Sequence, residues 1–442
     1  MQAVRPTEYI PCPKGGERNA IFAVLKALFG ESPIALDFLD GDVRPVSYLE
    51  PIVWVAPPRL KSIFWILLDP SMNLPNAYVN GYWFVSSGEL HDLILLLSMR
   101  RGRRRTNVGL IGVFPRYIRH IKKQRIDTSK TRETKNHYNI DHEIYSLILG
   151  PTMTYSCAFF DNGAETLEEA QAQKIATTIE RLKIPESETS VLDIGCGWGT
   201  LTRELAKNQA LKVEGISISE AQITYCQAHS LVEAHRSSTH ASYRLVDYAS
   251  LAAEDRKKYD RIVSVGMLEH VGKAELPKFF ESIKKLLSMD GRAVIHSIVR
   301  PDTGTTNRWI DENIFAGGYI PRGSEVLKAI EKSKLEIDGV YYHTGENYQR
   351  TLGCWLNNLR QNSSKIIALH EEKISDKTSS APEKQRKSVA RQGYRVWEFY
   401  LAALQNIFHP LGARFSVVQY CLQRQPKTAP GETVRLGYRP RM

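Results

Sequence analysis

A chain of 442 residues exceeds one ordinary domain and predicts two or three, and a hydrophobic fraction of 42% suffices for a buried core. The six cysteines, at 12, 157, 196, 226, 354 and 421, show no C-x-x-C spacing, which argues against a zinc site or disulfide framework and for a reducing cytosol. The net charge of +11 is local: Arg100 to Lys135 holds thirteen Lys or Arg against Asp127 and Glu133, a surplus equal to that of the whole chain. No basic flank followed by an apolar stretch opens the sequence. Apolar runs such as Ile63–Leu68 and Leu93–Leu97 fall far short of the roughly 20 residues that span a bilayer. A soluble, cytoplasmic protein is expected.

In chain order, residues 1–98 read as a small mixed α/β domain, its short apolar runs broken by Pro and Gly. Residues 99–135 form a basic linker in which Leu110, Ile111, Val113, Phe114, Tyr117, Ile118 and Ile121 interleave with the cations. That mixture suits an anionic membrane surface, where each nearby cation contributes about 1 kcal/mol. Nucleic acid would accept it too, and a solvated linker is the plain alternative. From 136 to 430 strands alternate with helices. The spacing predicts a helix over Glu165–Ile184 with Leu167, Ala170, Ile175, Ile179 and Leu182 inward. Strands are predicted at about Ser190–Ile194, Lys212–Ser217, Arg261–Val265 and Arg292–Ile298. The expected architecture is Rossmann-like α/β, a mostly parallel sheet covered by helices. The polar stretch 371–392, with Ser379-Ser380-Ala381-Pro382, reads as a mobile surface insertion.

The first of these strands runs into Gly195-Cys196-Gly197-Trp198-Gly199, and Thr200 is placed to cap the helix carrying Leu201 and Leu205. Glycines between a strand and a helix let the backbone approach a ligand and leave helix N-terminal amides facing it. The G-x-G-x-G form preceded by Asp193 suits a nucleoside with an amino-acid tail, S-adenosyl-L-methionine. No pyrophosphate needs cradling there, and Asp193 can meet an ammonium. A dinucleotide, or a tight turn without ligand, are the alternatives. Ser217, at the second strand's end, is placed for the ribose, and Gln222, one turn into the next helix, for the ribose or the methionine portion. Asp247 and Tyr248 follow the expected third strand, where a carboxylate can take the adenine amino group; Asp-Tyr is also a common turn pair.

These stretches resemble the cyclopropane-fatty-acid synthases, including the mycolic acid cyclopropane synthases. The matching residues are His137-Tyr138, Thr154-Tyr155-Ser156-Cys157-Ala158-Phe159-Phe160, Val191 to Gly199, Gly215 to Gln222 and Tyr259 to Gly272, which contains Glu269-His270-Val271-Gly272. His296-Ser297-Ile298, Trp309-Ile310, Ile314-Phe315, Tyr348, Leu352 and Trp355 continue the match, and Asn76 to Trp83 looks like the longer, phospholipid-acting members. The resemblance implies a class I methyltransferase fold. It implies cofactor contacts from Tyr155, Ser156, Asp193, Gly195, Cys196, Gly197, Gly199, Ser217, Gln222, Asp247 and Tyr248. It also implies a bound bicarbonate held by Cys157, Glu269, His296, Ile298 and Tyr348, with Cys157, Glu269, His296 and Tyr348 as catalytic residues and no metal. In such enzymes the alkene of a membrane phospholipid attacks the sulfonium methyl, and proton loss from the resulting carbocation closes a cyclopropane ring. An alkene has no proton to surrender before attack, so catalysis rests on positioning, cation stabilisation and a weakly nucleophilic base. Tyr155, Phe159, Trp309, Phe315 and Tyr319 are candidate faces for the cation, with core packing as their bland role.

Asn139 stands where the family commonly has Asp, and His142 where Asn is usual. The loop Ser230–Ala241 is longer than expected. The expected partners are an unsaturated phospholipid at an anionic membrane surface, reached by peripheral association, and no nucleic acid; a homodimer is compatible. Two alternatives stand beside cyclopropanation. One is a related methyltransferase that leaves a methyl or methylene branch on lipid or methylates a small amine, and the other is a non-catalytic lipid-binding protein.

Overall fold

The computed structural model describes residues 15–29, 34–37, 43–45, 52–55, 59–103, 142–234, 241–254, 258–302, 307–315, 317–377 and 382–424. The basic linker beyond Arg103, the block His137-Tyr138-Asn139 and residues 235–240 of the long loop lie outside them.

The N-terminal part carries α1 (Gly15–Phe29), β1 (Ile34–Asp37), β2 (Val43–Pro45), β3 (Ile52–Val55), α2 (Leu60–Leu68), α3 (Pro70–Val79), β4 (Phe84–Ser87) and α4 (Leu90–Arg103). Its sheet runs β2-β1-β3-β4, with β1 and β3 parallel and the outer pairs antiparallel. The mixed α/β expectation for this part holds.

The remainder begins with α5 (His142–Leu149) and α6 (Leu167–Leu182). A capping box starts α6: Glu169 N donates to Thr166 Oγ1 at 3.2 Å, and Thr166 N donates to Glu169 Oε2 at 3.0 Å. Leu167, Ala170, Ile175 and Leu182 are buried along it, as their spacing predicts. Then follow β5 (Thr189–Ile194), α7 (Thr200–Ala206), β6 (Leu211–Ser217), α8 (Glu220–Ala234), β7 (Ala241–Leu245), α9 (Tyr248–Ala253), β8 (Tyr259–Val265), α10 (Leu276–Leu286) and β9 (Leu287–Val299). The chain continues with α11 (Arg308–Asn313), α12 (Gly323–Ser333), β10 (Leu335–His343), α13 (Gly345–Gln361), α14 (Ser363–Lys377), α15 (Glu383–Phe408) and β11 (Ser416–Arg424).

Seven strands form one sheet in the order β10-β11-β9-β8-β5-β6-β7. The run β9-β8-β5-β6-β7 is parallel, and β11 is antiparallel to both its neighbours. Apolar residues on both faces of β5 and β9 are buried, as a strand covered by helices on two sides requires. Order reverses at β5, so a crevice opens beyond its carboxyl end between β5 and β8.

Two expectations are corrected here. The stretch 371–392 is no simple loop insertion: 371–377 completes α14 and 383–392 opens the 26-residue α15. Helical spacing sits under the polar composition, with Ala390 and Tyr394 turned inward. Thr200 is also not a cap. Gly199 takes the cap position in a left-handed conformation, and Thr200 Oγ1 donates instead to Thr152 O at 2.6 Å.

The N-terminal part packs on α15. Tyr78 donates its hydroxyl to Glu398 at 2.7 Å, Asn406 donates to His91 O at 3.0 Å, and Arg360 bridges Glu89 and Glu398. Trp83 is fully buried against Tyr78 and Phe399. The Asn76–Trp83 motif is therefore the end of α3 and the turn after it, docked on this helix, and Trp309 Nε1 reaches Asn76 Oδ1 at 2.9 Å.

Candidate active site

The site is assembled from the carboxyl ends of β5, β6, β8 and β9, with the loop Thr154–Phe160 lying across them. At the end of β5, Asp193 is buried and accepts a hydrogen bond from Thr202 Oγ1 at 2.7 Å. Burial pushes its carboxyl up to about 6, against the pull of Thr202 and Lys174. Gly195, Gly197 and Gly199 all have positive φ, at 78°, 55° and 80°. A Cβ at Gly199 would meet Cys226 Sγ at 2.8 Å and Arg203 Nη1 at 2.9 Å, whereas one at Gly197 would meet nothing within 4 Å. The turn is thus packed from behind at Gly199 and open in front at Gly197. Cys196 is buried, its thiol held above its ordinary value first by the neighbouring Cys226.

Ser217 and Gln222 meet one another: Ser217 Oγ donates to Gln222 Oε1 at 2.8 Å. Asp247 caps α9 through Oδ1, accepting from Ala249 N at 2.8 Å and Ser250 N at 3.4 Å. Tyr248 lies edge-on to Phe279. Both flank the edge of the crevice beyond β7.

On the other side of the crevice, Glu269 follows β8. Its Oε1 accepts from Ile298 N at 2.5 Å and from Ser297 Oγ at 3.3 Å. Its Oε2 is enclosed and has no hydrogen-bond partner among the described residues. Glu269 is half-buried as a residue, but its carboxylate is the enclosed end, and burial raises it to about 7 despite those donors. His296, two residues before Ile298 on β9, is buried. Its Nδ1 lies 3.1 Å from Gln419 Nε2. Gln419 Oε1 accepts from Arg181, so its amide nitrogen is the donor and His296 carries its own proton on Nε2. Burial holds His296 neutral, well below its ordinary value.

Cys157 is fully buried, and burial drives its thiol far up, so it stays protonated and donates to Ala158 O at 3.3 Å. Tyr155 packs on Trp355 and Phe315, at 5.3 and 6.2 Å between centroids, and its hydroxyl meets that of Tyr400 at 3.1 Å. Tyr348 joins this aromatic wall through Trp355 and Phe408, and Phe315 extends it to His270. Of the five aromatic candidates, Tyr155 and Phe315 stand in the wall. Phe159 stacks between His296 and His343, Trp309 serves the N-terminal contact, and Tyr319 hydrogen-bonds Glu325.

Sequence reasoning missed Lys174. This residue of α6 is buried, and its ammonium makes one hydrogen bond among the described residues, to Ser156 Oγ at 3.1 Å. It is also the cation acting on Asp193, Cys157 and His296. The only signal for it was a Lys on the inward face of a helix. Burial pulls it from 10.5 down to about 8. A lysine so lowered contributes stability above its unfolded value and loses it as pH falls through about 8. Lys174→Met should therefore gain on wild type in thermal melts as pH drops from 10.5 to 7, by about 3 kcal/mol. A pH-independent gap would show that the ammonium is solvated. A surface depression lined by Ile184, Pro185, Asn208 and Leu211 lies at the opposite, amino ends of β5 and β6.

The family profile described as mycolic acid cyclopropane synthetase matches residues 125–414. The S-adenosylmethionine-dependent methyltransferase UmaA of Mycobacterium tuberculosis is 32% identical over 260 residues, covering 55% of this chain and 88% of that protein. The cyclopropane-fatty-acyl-phospholipid synthase of Escherichia coli is 28% identical over 299 residues, covering 66% of this chain and 72% of that protein. Among solved structures, mycolic acid cyclopropane synthase CmaA1 complexed with SAH and CTAB is similar with a TM-score of 0.56 at 25% identity, covering 66% of this chain and 98% of that one.

Proposed function

We propose, from the premise that this chain belongs to the mycolic acid cyclopropane synthetase family, that it builds cyclopropane rings on the unsaturated acyl chains of phospholipids, using bicarbonate as proton acceptor. The chain is an S-adenosylmethionine-dependent C-methyltransferase of the cyclopropane-synthase type, transferring methylene to lipid double bonds. The observation that carries this reading is the enclosed, unpartnered Oε2 of Glu269, whose Oε1 is held by the N–H of Ile298, two residues along β9 from a neutral His296.

S-adenosyl-L-methionine supplies an electrophilic methyl, and the open space in front of Gly197 fits it. The turn residues Gly195 to Gly199 would carry it, with Ser217, Gln222, Asp247 and Tyr248 along its nucleoside and Tyr155 and Ser156 over the reacting end. Asp193 acts from behind the turn, steered by Thr202 and Lys174. Bicarbonate supplies an oxygen base too weak a nucleophile to be alkylated readily. Glu269 Oε2, His296 Nε2–H, the Tyr348 hydroxyl and the Cys157 backbone would hold it, and a buried carboxylate oxygen without a partner, together with an imidazole N–H, fits a group able both to donate and to accept. Ile298 contributes through Glu269, because its N–H is already directed at that carboxylate. Cys157, protonated and buried, acts through its main chain rather than as a nucleophile. Tyr155, Phe315 and Trp355 present ring faces that exclude water and stabilise positive charge developing on the acyl chain.

No described helix is long and apolar enough to cross a membrane, so access to phospholipid in this reading is by peripheral association, without nucleic acid. The division into residues 1–98, 99–135 and 136–430 belongs to the same proposal. The test is mass spectrometry of phospholipid after incubation with labelled cofactor. A gain of one CH2 unit that resists hydrogenation is expected. A gain that hydrogenation alters assigns a methylene branch, and label confined to amines overturns the reading.

A further inference from the structure

Helix α2 is apolar on its outer face as well as on its buried one. Ile63 and Ile66 are buried beneath it, yet its outer face is Phe64, Trp65 and Leu68, with 53%, 40% and 78% of their surface exposed. Single exposed apolar residues are ordinary, but three large ones on one turn of a helix mark an interaction surface. Arg59 and Lys61, both exposed, flank the same helix at its start. An apolar face rimmed by cations fits an anionic bilayer, with the rings and Leu68 below the headgroups and the cations among them. Its position argues for the same occupant. Asp69, directly after Leu68, pairs with Arg308 at 3.7 Å, and Trp309 holds Asn76 of α3. Both belong to α11, which leads within a few residues to Phe315 in the aromatic wall. The exposed patch and the wall of the site are thus joined by one short element.

We propose that α2 is the membrane-insertion helix of this enzyme, placing Phe64, Trp65 and Leu68 into the acyl layer of an anionic bilayer. The inference rests on the lipid reading above. Paired with the basic segment that follows α4, it supplies the apolar half of a two-signal attachment, since neither an apolar nor an electrostatic anchor suffices alone.

The full chain and its Phe64→Ser/Trp65→Ser/Leu68→Ser variant are compared on vesicles of dioleoyl phosphatidylglycerol and on the same lipid dispersed in detergent. Vesicle binding should fall at least about tenfold, and turnover on vesicles with it, while turnover on dispersed lipid and the melting temperature stay near wild type. Trp65→Phe should keep binding but lose part of the tryptophan quenching by brominated lipid. Equal vesicle binding by the triple variant, or unchanged quenching in Trp65→Phe, overturns the proposal. A wild-type dimer that the triple variant dissolves, with vesicle binding intact, assigns the face to a second copy instead. Failure of wild type to alkylate lipid in either form sinks the functional reading alone, because vesicle binding is read separately.

Discussion

Glu269→Gln is expected to cut turnover by about a thousandfold while calorimetry finds S-adenosyl-L-methionine bound almost as in wild type. The substitution is nearly isosteric. Its amide oxygen can still accept from Ile298 N and Ser297 Oγ, so the backbone of β9 keeps its support. What changes is Oε2, the enclosed atom without a partner, which becomes a donor-only group and can no longer share a proton with an oxyanion. A pH series of melting temperatures checks the burial of this carboxyl separately from turnover. Burial raises the wild-type carboxyl from 4.5 to about 7. A carboxyl raised on folding contributes stability below its unfolded value and loses it as pH rises through the folded one. Gln cannot ionise, so the variant should gain melting temperature on wild type between pH 5 and 8. His296→Ala should likewise lose turnover and spare cofactor binding. If either variant lost the cofactor instead, the carboxylate and imidazole would belong to its pocket, and the base assigned here would have to be sought elsewhere.

The catalytic sheet was legible because strands buried on both faces leave short apolar runs. Ser190–Ile194 and Lys212–Ser217 differ from the observed β5 and β6 by a residue at one end. The glycine turn was legible for a related reason: only glycine tolerates three left-handed positions within five residues. At 371–392 the reading failed. Helices α14 and α15 present charged outer faces, and the apolar positions of α15 are visible only once the N-terminal part is known to cover Phe399 and α5 to cover Trp397. Lys174 stayed hidden because burial of a cation is a property of the assembled site, set by Ser156 and Asp193 from other elements. The same is true of Gln419. It lies on β11, yet it sets the tautomer of His296 across the sheet.

Two glycines of one turn should separate folding from binding. Gly199→Ala adds a Cβ against Cys226, Arg203 and Tyr243, all within 3.0 Å, at a residue with φ of 80°. Overpacking and the left-handed backbone both cost, about 1–3 kcal/mol and 1–2 kcal/mol respectively, so its melting temperature should drop by several degrees. Gly197→Ala carries only the backbone term, because at φ of 55° its Cβ would enter open space. That variant should melt only a few degrees below wild type and above Gly199→Ala. Yet the space in front of Gly197 is where the cofactor is argued to approach the main chain most closely, and a methyl group there would hold it off. Affinity for S-adenosyl-L-homocysteine, measured by calorimetry, should fall by about a hundredfold, equivalent to roughly 3 kcal/mol. Wild-type affinity in Gly197→Ala would move the ligand away from this bend, and a collapse of melting temperature in that variant would mean the space is filled by the protein itself.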